Sequence, residues 1–224
     1  MQQFKYRFYA ILLDAYNWYL NSEAENAFQE FIDKINRVPY EKSEAALKGI
    51  AFNKLLDDIE IENVVLAKPN ILYDGFVFNY PLVNAFKAYF KDAASQVYTS
   101  AQLETNNGLV ELYGFADKVL RYKSFDIKTT SKYEFPKFIF NVQHKVYPYC
   151  FNQNGIFVDT FEYTVTDFNH IYKEEYFYRP EFDVPELRSV CESLIDFIER
   201  YRHLITDRKI FGLEPVKEPI LKIS

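Results

Sequence analysis

The apolar residues of the first 95 positions recur at intervals of three and four residues, a spacing that predicts amphipathic helices. Two stripes have this spacing, and they consist of Ala27, Phe28, Phe31, Ile32 and Ile35, and of Leu47, Ile50, Ala51, Leu55 and Ile59. A third segment, PLVNAFKAYFKD, opens with Pro81 in the position where a helix tolerates proline best. Residues 1–95 are therefore expected to be mainly helical.

Helical spacing ends near Ser95, where strand-forming residues take over. SQVYTSAQLET and GLVELYGFADKVLRY are rich in β-branched and aromatic residues, and the NNG between them is typical of a hairpin turn. A third strand, SFDIKTT, follows after a short connection, and IFVDTFEYTVTDF and HIYKEEYFY continue the pattern. Between SFDIKTT and IFVDTFEYTVTDF, the segment FPKFIFNVQHKVYPYCFNQNG predicts a helix that ends at Asn154–Gly155.

A last helix is predicted over residues 184–205, with Asp183 as its N-cap and Glu186 completing a capping box. No repeat or Gly/Ser linker divides the chain, so residues 1–224 are expected to form one α+β domain. Its sheet and the helix between the strands would occupy residues 96–180. The tail after Asp207, with Pro215 and Pro219, is expected to lie over the surface.

Three charged residues interrupt the predicted strands: Asp117, Asp126 and Lys128. Side chains alternate between the faces of a strand, so Asp126 and Lys128 point the same way. If the second and third strands are neighbours, Asp117 lies close to that pair. Two converging carboxylates repel each other unless a cation lies between them, and Mg²⁺ or Mn²⁺ accepts such oxygen ligands. A metal ion held in this way, with a lysine beside it, suits the hydrolysis of phosphodiester bonds. A surface salt bridge on an edge strand would also explain Asp126 and Lys128.

The order GFADKV, FDIKTT and then QHKVY resembles the PD-(D/E)XK nuclease superfamily, in its RecB-like and phage λ exonuclease-like branch. That branch has a G-x-x-D strand, a D/E-x-K-T strand and a helix with Q-x-x-x-Y. The resemblance spans residues 114–147. It implies a restriction-endonuclease-like core, an α/β sandwich in which helices flank a mixed β-sheet, with a helical N-terminal region.

The resemblance also implies a role for each matching residue. Asp117 and Asp126 would ligate Mg²⁺ or Mn²⁺ together with the backbone carbonyl of Ile127. Lys128 would position or activate the attacking water. Gln143 and Tyr147 lie four residues apart, on one face of a helix, and would support the site or contact the substrate.

Relatives often carry a further ligand in a G-x-x-x-H helix that precedes the sheet. This chain has Gly49 followed by Asn53 where the histidine would stand. An asparagine can ligate a metal through its carbonyl oxygen. Glu104, Glu44 or Asp57 could instead supply an acidic ligand.

The net charge of the 224-residue chain is −6, so any surface that binds phosphates must be local. The segment between Gly114 and Cys150 contains seven Lys or Arg residues and three acidic residues, so it is the locally basic part of the chain. Five of these side chains are candidate DNA contacts: Lys118, Arg121, Lys132, Lys137 and Lys145.

The remaining composition narrows the class of protein. Cys150 and Cys191 are too few for a disulfide framework or a four-cysteine metal site, so they are expected to be buried thiols in a reducing cytoplasm. No stretch is apolar enough to span a membrane, and the N-terminal apolar run lacks a signal-peptide cleavage site. The chain is expected in the cytoplasm of a bacterium or of a phage-infected host cell.

The charged triplet and the resemblance together predict a metal-dependent deoxyribonuclease. The resemblance alone implies an exonuclease rather than a sequence-specific endonuclease, and a role in phage or bacterial recombination, repair or replication. The implied partners are DNA, a single-strand annealing or single-strand-binding protein, and further copies of the chain. The alternative is a catalytically weak module that binds nucleic acid or a recombination partner. The intact Asp117, Asp126 and Lys128 favour the enzyme, whereas Asn53 in place of histidine favours the module.

Overall fold

A computed structural model of the chain describes residues 5–58, 66–67 and 69–212. Its strands are β1 (Tyr6–Tyr9), β2 (Leu66–Ala67), β3 (Asn70–Tyr73), β4 (Phe76–Asn79), β5 (Ala94–Thr105), β6 (Gly108–Leu120), β7 (Tyr122–Thr129), β8 (Val158–Thr166) and β9 (Ile171–Phe177). Its α-helices are α1 (Ala10–Asn21), α2 (Ala27–Ile35), α3 (Glu44–Asp57), α4 (Tyr80–Tyr89), α5 (Gln143–Gln153) and α6 (Pro180–Arg200). Ile59, Pro215 and Pro219, to which the sequence predictions extend, lie outside the described residues.

The main sheet is mixed, as predicted, and runs β1-β6-β7-β8-β9, with β5 on the other edge of β6. β5 and β6 form a long antiparallel hairpin that closes at the predicted turn, where Gly108 has a φ of +121° that glycine adopts without strain. β7 and β8 are parallel, and β8 and β9 are antiparallel. The fold is therefore α+β, with helices flanking a mixed sheet.

One edge of β6 is shared by two strands, and this creates a gap. β1 pairs with residues 110–113 of β6, whereas β7 pairs only with residues 118–120. Between these two partners lie residues 114–117, which we call the β6 junction. Because β7 diverges from β6 there, side chains rather than ladder hydrogen bonds fill the gap.

Two hydrophobic clusters lie on the two faces of this sheet. The larger cluster joins α1, α2, α5 and α6 to β1, β5, β6 and β8. The smaller joins α3, α4 and the β2–β4 sheet to Phe125 and Ile127 of β7. Since Phe125 and Ile127 are buried against α3 and α4, Asp126 and Lys128 point to the opposite face, as alternation predicted.

The helix predictions are correct in position and differ at the ends. α4 begins at Tyr80, one residue before the predicted Pro81, and the side chain of Asn79 caps it by accepting from the backbone N–H of Leu82 at 3.1 Å. The last helix begins four residues earlier than predicted, at Pro180, and ends at Arg200. Asp183 is therefore not its N-cap, and its carboxylate instead accepts a hydrogen bond from the backbone N–H of Arg179 at 2.6 Å.

The sequence pattern missed β1, which is completed only by pairing with the distant β6. It also missed the β3–β4 hairpin within the mainly helical region. Both cysteines are free and buried, as predicted. Among the described residues, no helix combines the length and apolar character that crossing a membrane requires.

The predicted helix over 135–155 begins only at Gln143, because a buried carboxylate holds the preceding segment in a path of bends and turns. Glu174 of β9 is 1% exposed and accepts hydrogen bonds from the backbone N–H groups of Lys137 and Phe138 at 3.0 and 2.9 Å. The hydroxyls of Tyr133, at 2.9 Å, and of Tyr176 donate to the same carboxylate. Four donors on one buried acceptor fix the segment that leads into α5.

Glu174→Gln is expected to lower stability at neutral pH and to flatten its dependence on acid pH. Burial alone would raise the pKa of Glu174, but the hydrogen bonds outweigh it and hold the pKa below its ordinary value of 4.5. This stabilisation is therefore fully present above the unfolded-state pKa and is lost as the pH falls through the folded-state pKa. Thermal unfolding measured from neutral pH to pH 3 tests this.

Glu134→Gln is the matched control, because Glu134 is exposed and, among the residues that the structure describes, forms an ion pair only with the exposed Lys132. It should leave both stability and its pH dependence unchanged. Equal acid sensitivity of the Glu174→Gln variant and the unmodified protein would contradict the assignment.

Candidate active site

Asp126 and Lys128 form the centre of the candidate site. The ammonium of Lys128 lies 2.7 Å from Oδ2 of Asp126, whose side chain is 9% exposed. Burial alone would lower the pKa of Lys128, but the charge and hydrogen bond of Asp126, together with the charges of Asp14 and Asp117, outweigh burial and raise the pKa. The lysine is therefore held protonated beside the carboxylate.

Asp117 fills the β6 junction next to this pair. The ladder pairs Lys118 with Phe125, so the next step of the same register sets Asp117 opposite Asp126. Oδ2 of Asp117 accepts a hydrogen bond from the backbone N–H of Ile127 at 2.8 Å, replacing the ladder bond that is lost where the strands diverge. The structure thus brings Asp117, Asp126 and Lys128 together.

The two aspartates oppose each other electrostatically. Burial, followed by the negative charge of Asp126, raises the pKa of Asp117 to about 7, against the lowering effect of the Ile127 N–H. A cation between the carboxylates would relieve this opposition and favour both charged forms.

Gly49, Asn53 and Asp57 are spaced four residues apart along helix α3, so they lie as a stripe on one face of that helix. A Cβ on Gly49 would lie 2.5 Å from Oγ1 of Thr129 at the end of β7, so the glycine allows α3 to approach the strand closely. At the other end of the stripe, Gln96 donates both to Asp57, at 3.4 Å, and to Asp117, at 3.1 Å.

Asn53 lies between these two attachments, and its Oδ1 is buried without a hydrogen-bond partner in the described part of the chain. A buried carbonyl oxygen with no donor is costly, and coordination to a cation would satisfy it. Asp57 already accepts a hydrogen bond from Lys118 at 2.5 Å. Of Asn53 and Asp57, Asn53 therefore fits a ligand better.

Asp14 of α1 is a site residue that the sequence reasoning missed. Its carboxylate accepts hydrogen bonds from the backbone N–H of Val142 at 2.6 Å and from Nδ2 of Asn141 at 3.3 Å, so it holds the start of α5. Burial raises its pKa to about 6, and the charges of Lys128 and Asp126 are close enough to act on it. No motif marks Asp14, because more than a hundred residues separate it from its partners.

Gln143 and Tyr147 of α5 are both buried, at 0% and 2% exposure. Neither amide atom of Gln143 has a hydrogen-bond partner among the residues that the structure describes. Burial, followed by the charges of Asp126 and Asp117, raises the pKa of Tyr147 well above its ordinary value, so its phenol stays neutral beside the carboxylates.

Gly114 explains the glycine of the G-x-x-D strand in physical terms. A Cβ at this position would lie 2.8 Å from Cε1 and 2.9 Å from the hydroxyl oxygen of Tyr147. Since Tyr147 is buried, its ring has little room to move away. The glycine and the tyrosine of the two motifs are thus required by the same contact.

Gly114→Ala is accordingly expected to destabilise the protein by about 1–3 kcal/mol, the usual cost of overpacking a buried contact. Urea unfolding measures this change. An unchanged midpoint would show that Tyr147 can withdraw from the β6 junction and that the contact does not require glycine.

Several predicted residues are not brought to this centre. Glu104 pairs with Leu109 on β6, eight residues from Asp117 and so roughly 26 Å along the strand. Glu44 is exposed in the first turn of α3. Of the candidate DNA contacts, Lys118 and Lys145 are buried in ion pairs with Asp57 and Glu186, whereas Arg121, Lys132 and Lys137 lie at the surface or in exposed hydrogen bonds.

The donor set fits a hard divalent cation. Among the described residues, no three His, Cys, Asp or Glu side chains converge, so ligands beyond Asp117 and Asp126 would be neutral oxygens. The unpartnered Oδ1 of Asn53 and the Ile127 carbonyl are of that type. Carboxylate, amide and carbonyl oxygens are the donors that Mg²⁺ and Mn²⁺ accept.

A separate cavity of about 740 Å³ lies beside α2 and contains none of these site residues. Its lining residues are Tyr9, Glu30, Asp33, Lys34, Arg37, Val38, Pro39, Tyr40 and Lys42. The chemistry of the candidate site therefore lies elsewhere than in this cavity.

No protein-family profile matches the chain, and no curated protein matches it by sequence. Several solved structures are similar to it, among them the following two. A protein named "Putative exonuclease" from Eubacterium rectale has a TM-score of 0.52 and 17% identity, covering 96% of this chain and 91% of that one. The protein SSO0001 has a TM-score of 0.52 and 14% identity, covering 85% of this chain and 76% of that one. At such identities the likeness shows a shared mixed α+β fold, which by itself leaves the activity open.

Proposed function

We propose that the chain is a metal-dependent DNA nuclease of the PD-(D/E)XK superfamily, in its RecB-like and phage λ exonuclease-like branch. The observation that carries the proposal is the meeting of Asp117, Asp126 and Lys128 at the β6 junction. The fold shared with the protein named "Putative exonuclease" agrees with nuclease activity. The assignment to this branch rests on the order of the motifs along the chain.

Asp117 and Asp126, with the Ile127 carbonyl and Oδ1 of Asn53, would hold Mg²⁺ or Mn²⁺. When bound, the ion would polarise a phosphoryl oxygen and neutralise charge that develops on it. Lys128, held at 2.7 Å from Asp126, would position the attacking water and stabilise the developing negative charge. Asp14 would position Gln143 and Tyr147 by fixing the start of α5.

The finer assignments follow from the resemblance. They are exonuclease rather than endonuclease action, a place in phage or bacterial recombination, repair or replication, and work in the cytoplasm. DNA is the substrate, and a single-strand annealing or single-strand-binding protein is the proposed partner. A homo-oligomer accords with the same resemblance.

Hydrolysis of linear and circular DNA by the purified protein tests the proposal. We expect linear DNA to be degraded with Mg²⁺ or Mn²⁺, closed circles to resist, and EDTA to stop the reaction because it removes the ion that would polarise the phosphoryl oxygen. Degradation that continues in EDTA would contradict a metal-dependent mechanism. Rapid cutting of closed circles would contradict exonuclease action.

The alternative, a binding module without catalysis, is favoured by Asn53 in place of a histidine. Calorimetric titration with Mn²⁺ distinguishes the nuclease from the binding module. The nuclease should take up Mn²⁺, and Asp126→Asn should abolish that uptake. A module without a carboxylate site should show no uptake that depends on Asp126, and it should bind DNA without cleaving it.

A further inference from the structure

A second, smaller cavity opens beside Asp14, between α1 and the segment that precedes α5. Its volume is about 240 Å³, below the range typical of drug-sized ligands and suited to a single planar ring system. It is lined by Asp14, Asn17, Trp18, Asn21, Ser22, Phe140 and Asn141. Four of these residues are spaced 0, 3, 4 and 7 along α1, so one face of that helix forms one wall.

The lining combines exposed aromatic rings with amides. Trp18 is 47% exposed and Phe140 is 78% exposed, an unusual degree for such large apolar side chains placed together. Neither lysine nor arginine lines the cavity, and Asp14 adds a carboxylate. A phosphate group is thus disfavoured there, whereas a neutral, flat group that forms hydrogen bonds is favoured.

The amides are already oriented by the protein. Nδ2 of Asn17 donates to the Phe140 carbonyl at 3.1 Å, and Nδ2 of Asn21 donates to the Asn17 carbonyl at 2.7 Å. Nδ2 of Asn141 donates to Asp14 at 3.3 Å. Their Oδ1 atoms accept no hydrogen bond from the described residues, which leaves them as acceptors for the exocyclic amino group of a base.

We propose that this cavity binds one unpaired nucleobase of the DNA strand, stacked on Trp18 and Phe140 and hydrogen-bonded by the asparagines. Asp14 both lines the cavity and holds the start of α5 beside the candidate site. The base would belong to a nucleotide next to the phosphate that is cleaved. That placement rests on the proposed function, whereas the binding of a base does not.

The consequence is a preference for strands whose bases are free. A base in a duplex is stacked and paired, so it must leave the helix before it can enter the cavity. We expect single-stranded DNA and frayed ends to bind more tightly than a blunt, stable hairpin of the same length.

Trp18 is the one tryptophan of the chain, so its fluorescence reports on this cavity directly. Titration with a short oligodeoxyadenylate in EDTA, where hydrolysis is stopped, should quench the fluorescence with saturation. An abasic oligonucleotide of equal length has the same phosphates and should not. Equal quenching by the abasic strand would overturn the proposal.

Phe140→Ala should weaken this binding by about 5- to 100-fold, the range for loss of one stacking partner. Phe135→Ala is the matched control, because Phe135 is 73% exposed in the same segment but does not line the cavity. Both side chains are exposed, so both variants should keep the fold, which circular dichroism checks. Equal affinity of the two variants would also overturn the proposal.

Failure of this inference is distinguishable from failure of the proposed function. Base-dependent quenching without DNA hydrolysis in Mg²⁺ would leave the cavity assigned and the nuclease refuted. Hydrolysis without base-dependent quenching would support the nuclease and refute the base-binding cavity. The oligonucleotide should still quench the Trp18 fluorescence of the Asp126→Asn variant, because Asp126 does not line the cavity.

Discussion

Lys128→Met is expected to lower the rate of DNA hydrolysis by about 10²- to 10⁴-fold while Mn²⁺ uptake persists. Lys128 supplies a positive charge beside Asp126 but would not be a metal ligand. Its loss removes stabilisation of developing negative charge and leaves both aspartates in place. Single-turnover hydrolysis and Mn²⁺ calorimetry measure the two quantities separately.

Asp126→Asn should lose both hydrolysis and metal uptake, so the pair of variants separates ligation from charge stabilisation. Lys54→Met is the matched control, because Lys54 forms an exposed ion pair with Asp74. Such pairs contribute little, and this variant should remain active and stable. Full activity of Lys128→Met would refute the role given to the lysine.

The second large effect is expected in stability. Lys123→Met should destabilise the fold by about 3–5 kcal/mol, because it would leave a buried carboxylate without its counter-charge. Glu162 is 0% exposed and accepts hydrogen bonds from Lys123 at 2.5 Å, Tyr89 at 2.9 Å and Thr164 at 2.6 Å. Urea unfolding followed by circular dichroism measures the loss.

The double variant Lys123→Met/Glu162→Gln should recover most of this loss. Its amide oxygen can accept from one of the hydroxyls of Tyr89 and Thr164, its NH₂ group can donate to the other, and it carries no charge that must be paired. Lys132→Met is the control, since Lys132 and Glu134 pair while 77% and 73% exposed. If the control loses as much stability as Lys123→Met, the buried pair is not the cause.

This buried pair also bears on the candidate site. Lys123 stands at the start of β7, the strand that carries Asp126 and Lys128. Its ion pair with Glu162 links β7 to β8, and the parallel pairing of these strands continues to the end of β7. A weakened Lys123–Glu162 pair would therefore also displace Asp126 and Lys128, because it would loosen the pairing of β7 with β8.

Much of the centre of the site followed from local pattern. The two-residue period of a strand set Asp126 and Lys128 on one face, and the structure confirms it with their ion pair. The short connection between β6 and β7 indicated that these strands are neighbours, and they pair as expected. Strand period and short connections are local properties, so the residues themselves encode them.

The parts that could not be predicted depend on which distant surfaces meet. Asp14 reaches the start of α5 only because α1 packs beside it. Lys118 and Lys145 are in the basic segment, yet tertiary contacts bury them against Asp57 and Glu186. Charge along the chain predicts the sign of a segment, but burial decides whether a charge faces a ligand or a partner side chain.

The sequence by itself determined the α+β class, the order of most elements and the strand face on which Asp126 and Lys128 stand, because each follows from residue spacing within one element. Only the tertiary structure decided that β1 and β7 share one edge of β6 and leave a gap between them. That gap admits Asp117 and makes Gly114 necessary beside Tyr147. Its physical origin is the divergence of two strands from a third, a relation among distant segments that local spacing does not specify.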